Sequence, residues 1–181
     1  MGKLMAIQRK LNWDTQHFHQ FLLDHADKPF AWGSHDCALF AASAVEAITG
    51  VDVADDFRGK YTTQLGALRT ISKVTGGSTI VDAVIHCAAK HGLTEHAHPL
   101  MAKRGDLVII DNAGTLIAGV VHLNGRHVVS VSETGLVRLP ITNIVRAWSL
   151  DIPAVSPVVT DTSAPELPAG KAVLLLESPN E

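Results

Sequence analysis

Phe30-Ala31-Trp32-Gly33-Ser34-His35-Asp36-Cys37-Ala38-Leu39-Phe40 is the stretch whose reading decides the fold. It leads from a loop into Ala41-Ala42-Ser43-Ala44-Val45-Glu46-Ala47-Ile48, a run small and apolar all round, as expected of a helix buried in the middle of a domain. The helix is expected over residues 37–49, with Asp36 as its N-cap and Gly50 as its stop. Cys37 then sits in the first turn, where the positive end of the helix dipole favours a thiolate nucleophile. Cysteine is also a small and often buried residue, so the surroundings must decide between the two readings.

Upstream, residues 13–25 place Trp13, Phe18, Phe21 and Leu22 at helical spacing, with Asn12 or Asp14 available as caps. Lys28-Pro29 ends that helix, because the residue before proline is pushed out of the α region. Downstream, Thr62 or Thr63 opens a third helix carrying Leu65, Leu68 and Ile71, closed by Gly76-Gly77. A fourth helix, residues 79–91, sets Ile80, Val84 and Cys87 on one face, which makes Cys87 a packed thiol.

The periodicity then becomes extended. Residues 107–110, 116–123, 128–132, 136–139 and 144–148 are short, β-branched and separated by turn residues, with Asn124-Gly125 expected as a type I′ hairpin turn. Helices first and an antiparallel meander second give an α+β fold over residues 1–150. Residues 151–181 shift to Pro153, Pro157, Pro165 and Pro168 with Ser, Thr and Asp, an extended tail. The tail also contains Val173, Leu174, Leu175 and Leu176, expected to dock on a partner or to pack against their own domain.

Composition narrows the function. A net charge of −3, from 15 basic and 18 acidic residues spread along the chain, offers no basic face for nucleic acid. No apolar run approaches the roughly 18 to 20 residues of a membrane span, and no signal-peptide core opens the chain, so synthesis in the cytoplasm is expected. The two cysteines fall on separate helices and are expected as free thiols. The ten histidines lack the spacing of a ligand set, so no metal and no cofactor is expected.

Trp32-Gly33 followed by Asp36-Cys37, together with Arg104-Gly105-Asp106-Leu107-Val108 and Gly119-Val120-Val121, resembles the NlpC-type cell-wall peptidases, which are papain-like. The resemblance covers about residues 29–148. It implies N-terminal helices with a central Cys-bearing helix packed on a small antiparallel sheet, and Cys37 in the place of the nucleophile. Pro29 to Gly33, His35-Asp36-Cys37-Ala38, Phe57-Arg58-Gly59-Lys60-Tyr61 and Arg146-Ala147-Trp148 are similar to motifs of a phage and prophage family encoded among tail genes. That likeness implies a virion component of a long-tailed phage, at the tail tip or baseplate hub, with other tail proteins as partners.

The departures weigh against catalysis. The resemblance puts the family's catalytic histidine at Ile117, its orienting group at Val129 and its oxyanion tyrosine at Phe30. None of these side chains carries the required group. His127, on the neighbouring strand, and His35, two residues before the thiol, are the candidate substitutes, His35 being expected at the surface or as a cap. Asp36, Trp32, Gly33 and Phe30 are expected to shape the site. Two readings follow: a structural tail-tip protein on a degenerate peptidase scaffold, or a thiol hydrolase cutting the peptide stems of peptidoglycan. An assembly chaperone absent from finished particles is a third.

Overall fold

The computed structural model describes residues 7–151. The first helix occupies the expected stretch but starts as a π-helical turn, Trp13–Phe18, before continuing as α1 (His19–Asp24). Asn12 holds the N-cap position in the left-handed conformation and makes no side-chain cap, while Asp14 accepts only from the adjacent Thr15 N–H. The expected cap is therefore missing, and the helix is held by burial of Phe18 and Phe21.

The central helix α2 spans Cys37–Thr49, capped by the Asp36 side chain and ended by Gly50, as its residues require. Most of its side chains are buried, and it packs on two strands of the sheet. Thr63 opens α3 (Gln64–Thr75) by accepting from the Gly66 N–H. Thr79 and Asp82 open α4 (Ile80–Lys90) with a reciprocal capping box. Helix α3 departs from expectation in its packing: Leu65 is 56% and Leu68 45% exposed, and Ala67 is its one buried side chain.

The strands are β1 (Thr94–Glu95), β2 (Leu107–Asn112), β3 (Thr115–Val121), β4 (His127–Ser132), β5 (Gly135–Pro140) and β6 (Ile144–Ser149). They form one antiparallel sheet in the order β1-β6-β2-β3-β4-β5. Only β2 to β5 make the expected meander. The short turn Ile141–Asn143 sends the chain back, and β6 lies on the far side of β2, pairing Leu107 with Trp148. The reason lies in β2 itself, where Leu107, Val108, Ile109 and Ile110 are all buried, so the strand is apolar on both faces and needs a neighbour on both edges.

Turn chemistry corrects a second expectation. Asn124 does not adopt positive φ; its side chain instead accepts from the N–H groups of Arg126 and His127, and Gly125 alone is left-handed. The positive φ pair of a type I′ turn falls at Ala113 (52°) and Gly114 (88°), between β2 and β3.

Two clusters fill the domain. Leu107, Ile109, Ala118, Val120, Val129 and Trp148 face the helices, while Val108, Ile110, Val121, Val128, Ile144 and Ala147 form a second cluster on the opposite face. The Gly105-Asp106 pair proves to be a structural knot. Asp106 is fully buried and accepts from Arg9 Nη2 at 2.7 Å, His96 Nε2 at 2.7 Å and the Lys103 N–H at 2.8 Å. Arg9 lies over the Trp13 ring and also donates to the Arg104 carbonyl, tying the N-terminal segment to the start of β2.

Candidate functional site

Asp36 builds the site. Its Oδ1 accepts from the Leu39 N–H at 3.0 Å, which caps α2, and its Oδ2 accepts from the Gly33 N–H at 2.9 Å and the Tyr61 hydroxyl at 2.8 Å. The loop before it folds back on itself through paired backbone bonds between Ala31 and His35, and Phe30 N–H donates to Ser132 O at the end of β4. Phe30 and Trp32 meet edge to face at 4.9 Å.

Gly33 has φ +76°, and a Cβ there would stand 1.9 Å from the Tyr61 carbonyl oxygen. That close approach brings the Phe57-Arg58-Gly59-Lys60-Tyr61 motif against the Asp36-Cys37 motif. Phe57 is buried, and Arg58 holds Asp52 through two bonds of 2.6 and 3.0 Å. Burial and the Asp36 charge push the Tyr61 phenol upward, so it stays a proton donor.

Cys37, half-buried, opens onto a cavity of about 410 Å³ between α2, α3, α4 and β3. The walls are apolar: Phe30, Trp32, Leu68, Ile71, Val84 and Leu116 among others, with Asp36, Tyr61 and Gln64 at the polar end. Cys87 also lines it, buried on α4, its thiol pushed up to about 12 by burial and then by Asp55 and Asp56.

The shift expected at the helix N-terminus is reversed. Burial pushes the Cys37 thiol up to about 11; the Ala118 backbone opposes this in part, and the adjacent Asp36 charge, a smaller effect, adds to the rise. A helix N-terminus is worth roughly 0.3–1 kcal/mol in ordinary settings, whereas desolvation of a buried acid can move its pKa by several units. Burial wins here.

Neither candidate base lines the cavity. His127 lies at the start of β4, its Nδ1 within 3.0 Å of the Asn124 amide nitrogen. His35 is neither at the surface nor a cap. It is 3% exposed, stacked on His25 at 5.3 Å and edge-on to Phe40, with no hydrogen-bond partner for Nε2 among the described residues. Burial first, then Lys28 and His25, lowers its pKa to about 4.

Strand alternation also moves the position opposite the thiol. Ala118 and Val120 face the helices and Ile117 packs against the second cluster while also lining the cavity; the Ala118 backbone is the β3 group that meets Cys37. Val129 is buried among the helix-facing side chains. None of these side chains can accept a proton.

With that geometry in place, the sequence finds its relatives. The chain belongs to the family described as a domain of unknown function (DUF6950). Its family model matches residues 8–150, which takes in the Asp36-Cys37 turn, the Tyr61 motif and the whole sheet. No curated protein and no solved structure matches the DUF6950 chain. Among the described residues, no group of three or more His, Cys, Asp or Glu side chains is placed to hold a metal ion, and no helix is long and apolar enough to cross a membrane.

Tyr61 and the α3–α4 wall are what residue-by-residue reading missed. The aromatic motif at residues 57–61 and the apolar stripe Leu65, Leu68, Ile71 were both visible in the sequence. Their meeting with Cys37 depends on how the helices pack. Val173, Leu174, Leu175 and Leu176 lie outside the described residues.

Proposed function

We propose that this DUF6950 protein is a structural component of the tail tip or baseplate hub of a long-tailed phage, built on a scaffold resembling the NlpC-type, papain-like peptidases and no longer catalytic. The phage assignment rests on the likeness of its motifs to tail-gene proteins. The loss of catalysis rests on one observation: Cys37 opens the central helix onto a largely apolar cavity with no histidine in its lining. A thiol nucleophile works through a base in hydrogen-bond reach and a third group that orients the base. A site with neither has kept the scaffold and lost the reaction, and fold alone does not restore a function.

The second reading, a thiol hydrolase of peptidoglycan stems, draws on the same cavity, which has Cys37 and Tyr61 at its polar end. Two measurements separate the readings. Purified protein incubated with peptidoglycan is expected to release no muropeptides, and phage carrying Cys37→Ala are expected to plate normally. Mass spectrometry of purified particles should find the protein in the tail. Cys37-dependent muropeptide release would establish the hydrolase instead, and absence from finished particles would exclude the virion role.

A further inference from the structure

The cavity beside Cys37 is larger than a packing defect. At about 410 Å³ it is more than twice the size of an engineered apolar cavity of ~150 Å³ that takes up benzene. Its rim carries Trp32, 39% exposed, and Leu116, 40% exposed, and α3 leaves Leu65 and Leu68 uncovered beside it. Contiguous apolar surface of this kind marks a place where another apolar group belongs.

We propose that the occupant is this chain's own segment Ala172-Val173-Leu174-Leu175-Leu176, docked with its leucines in the cavity and against α3. The segment lies outside the described residues, beyond the last residue the family model matches. Five consecutive apolar residues bounded by Lys171 and Glu177 have the composition of a buried stretch. About 20 residues separate it from Asp151, whose carboxylate is held by Arg9 at 3.0 Å. A chain of that length can span at most about 65 Å, against a radius of gyration of about 15 Å for a domain of this size. The tether therefore reaches the cavity and holds the segment near it at millimolar effective concentration, which favours the same chain over a second copy or a separate protein. The docked leucines cover the Cys37 sulfur.

The inference stands on the cavity and the tether, and holds whether or not the protein is part of a virion. Its test is the rate at which N-ethylmaleimide labels Cys37 in the full chain, read from the Cys37 peptide by mass spectrometry so that Cys87 does not contribute. The triple variant Leu174→Asp, Leu175→Asp, Leu176→Asp should label at least tenfold faster than the unaltered chain. The triple variant with Met at the same three positions should label as slowly as the unaltered chain. Equal rates in the Asp variant and the unaltered chain would overturn the proposal. A full chain carrying Leu175→Cys should, on mild oxidation, join the introduced thiol to Cys37 within one monomer. A disulfide-linked dimer as the sole product would assign the cavity to a second copy and overturn the intramolecular form.

Discussion

Asp36 carries three duties on one carboxylate: it caps α2, fixes the Gly33 turn and accepts the Tyr61 hydroxyl. All three bonds are spent inside the protein, two of them on Oδ2, so the carboxylate serves the fold. His35, one residue earlier, has the opposite problem, a buried ring whose Nε2 has no partner among the described residues. Because burial lowers its pKa from 6.5 to about 4, the folded state disfavours the protonated ring and the unfolded chain binds the proton more readily between those values. The stability that neutral His35 contributes is therefore complete above pH 6.5 and is lost as pH falls towards 4, by about 2–3 kcal/mol. Urea unfolding at pH 7 and pH 4.5 should show this loss in the unaltered chain and a smaller one in His35→Phe; equal losses in both would place the acid sensitivity elsewhere.

At the scale of elements, the site is a junction between a turn and a segment that is far away in sequence. Gly33 is required twice over, by its φ of +76° and by the Tyr61 carbonyl lying where a Cβ would go. Gly33→Ala should push the 57–61 segment away from α2 and cost on the order of 3 kcal/mol or more, combining backbone strain with a displaced contact. Tyr61→Phe keeps the packing and removes one bond to a buried carboxylate, so the expected cost is about 1–3 kcal/mol. Chemical denaturation of the two variants should preserve that order; a Gly33→Ala protein as stable as the unaltered chain would contradict the close approach.

For the whole molecule, the Arg9, Asp106 and His96 knot joins the N-terminal segment, the β1 region and the start of β2. The Arg9 and Asp106 side chains are 9% and 0% exposed, so removing one partner leaves a charge with little water to replace it. Asp106→Ala should destabilise the fold by about 3–5 kcal/mol, measured by urea unfolding. A loss below ~1 kcal/mol would mean that the knot is dispensable. The role of the Gly105-Asp106 motif is thus to hold the sheet to the N-terminus, and it sits apart from the cavity, whose lining does not include Asp106.

Local chemistry was readable wherever one residue's preference sufficed. Asp36 before a mostly apolar run dictated where α2 begins, Gly50 where it ends, and the Thr62-Thr63 pair and Thr79 where the next two helices start, the structure choosing Thr63 of the pair, because caps satisfy backbone groups within a few residues. The α+β order followed from the change of hydrophobic period after residue 91. What depended on contacts between distant segments was not readable. The return of β6 to β2, the burial of His35, the approach of Tyr61 to Asp36 and the apolar wall around Cys37 each join residues that no local period connects. The thiol shows the reason most directly: its position at a helix N-terminus was determined by the sequence alone, but its protonation was decided by desolvation, which exists only once α3, α4 and β3 have closed around it.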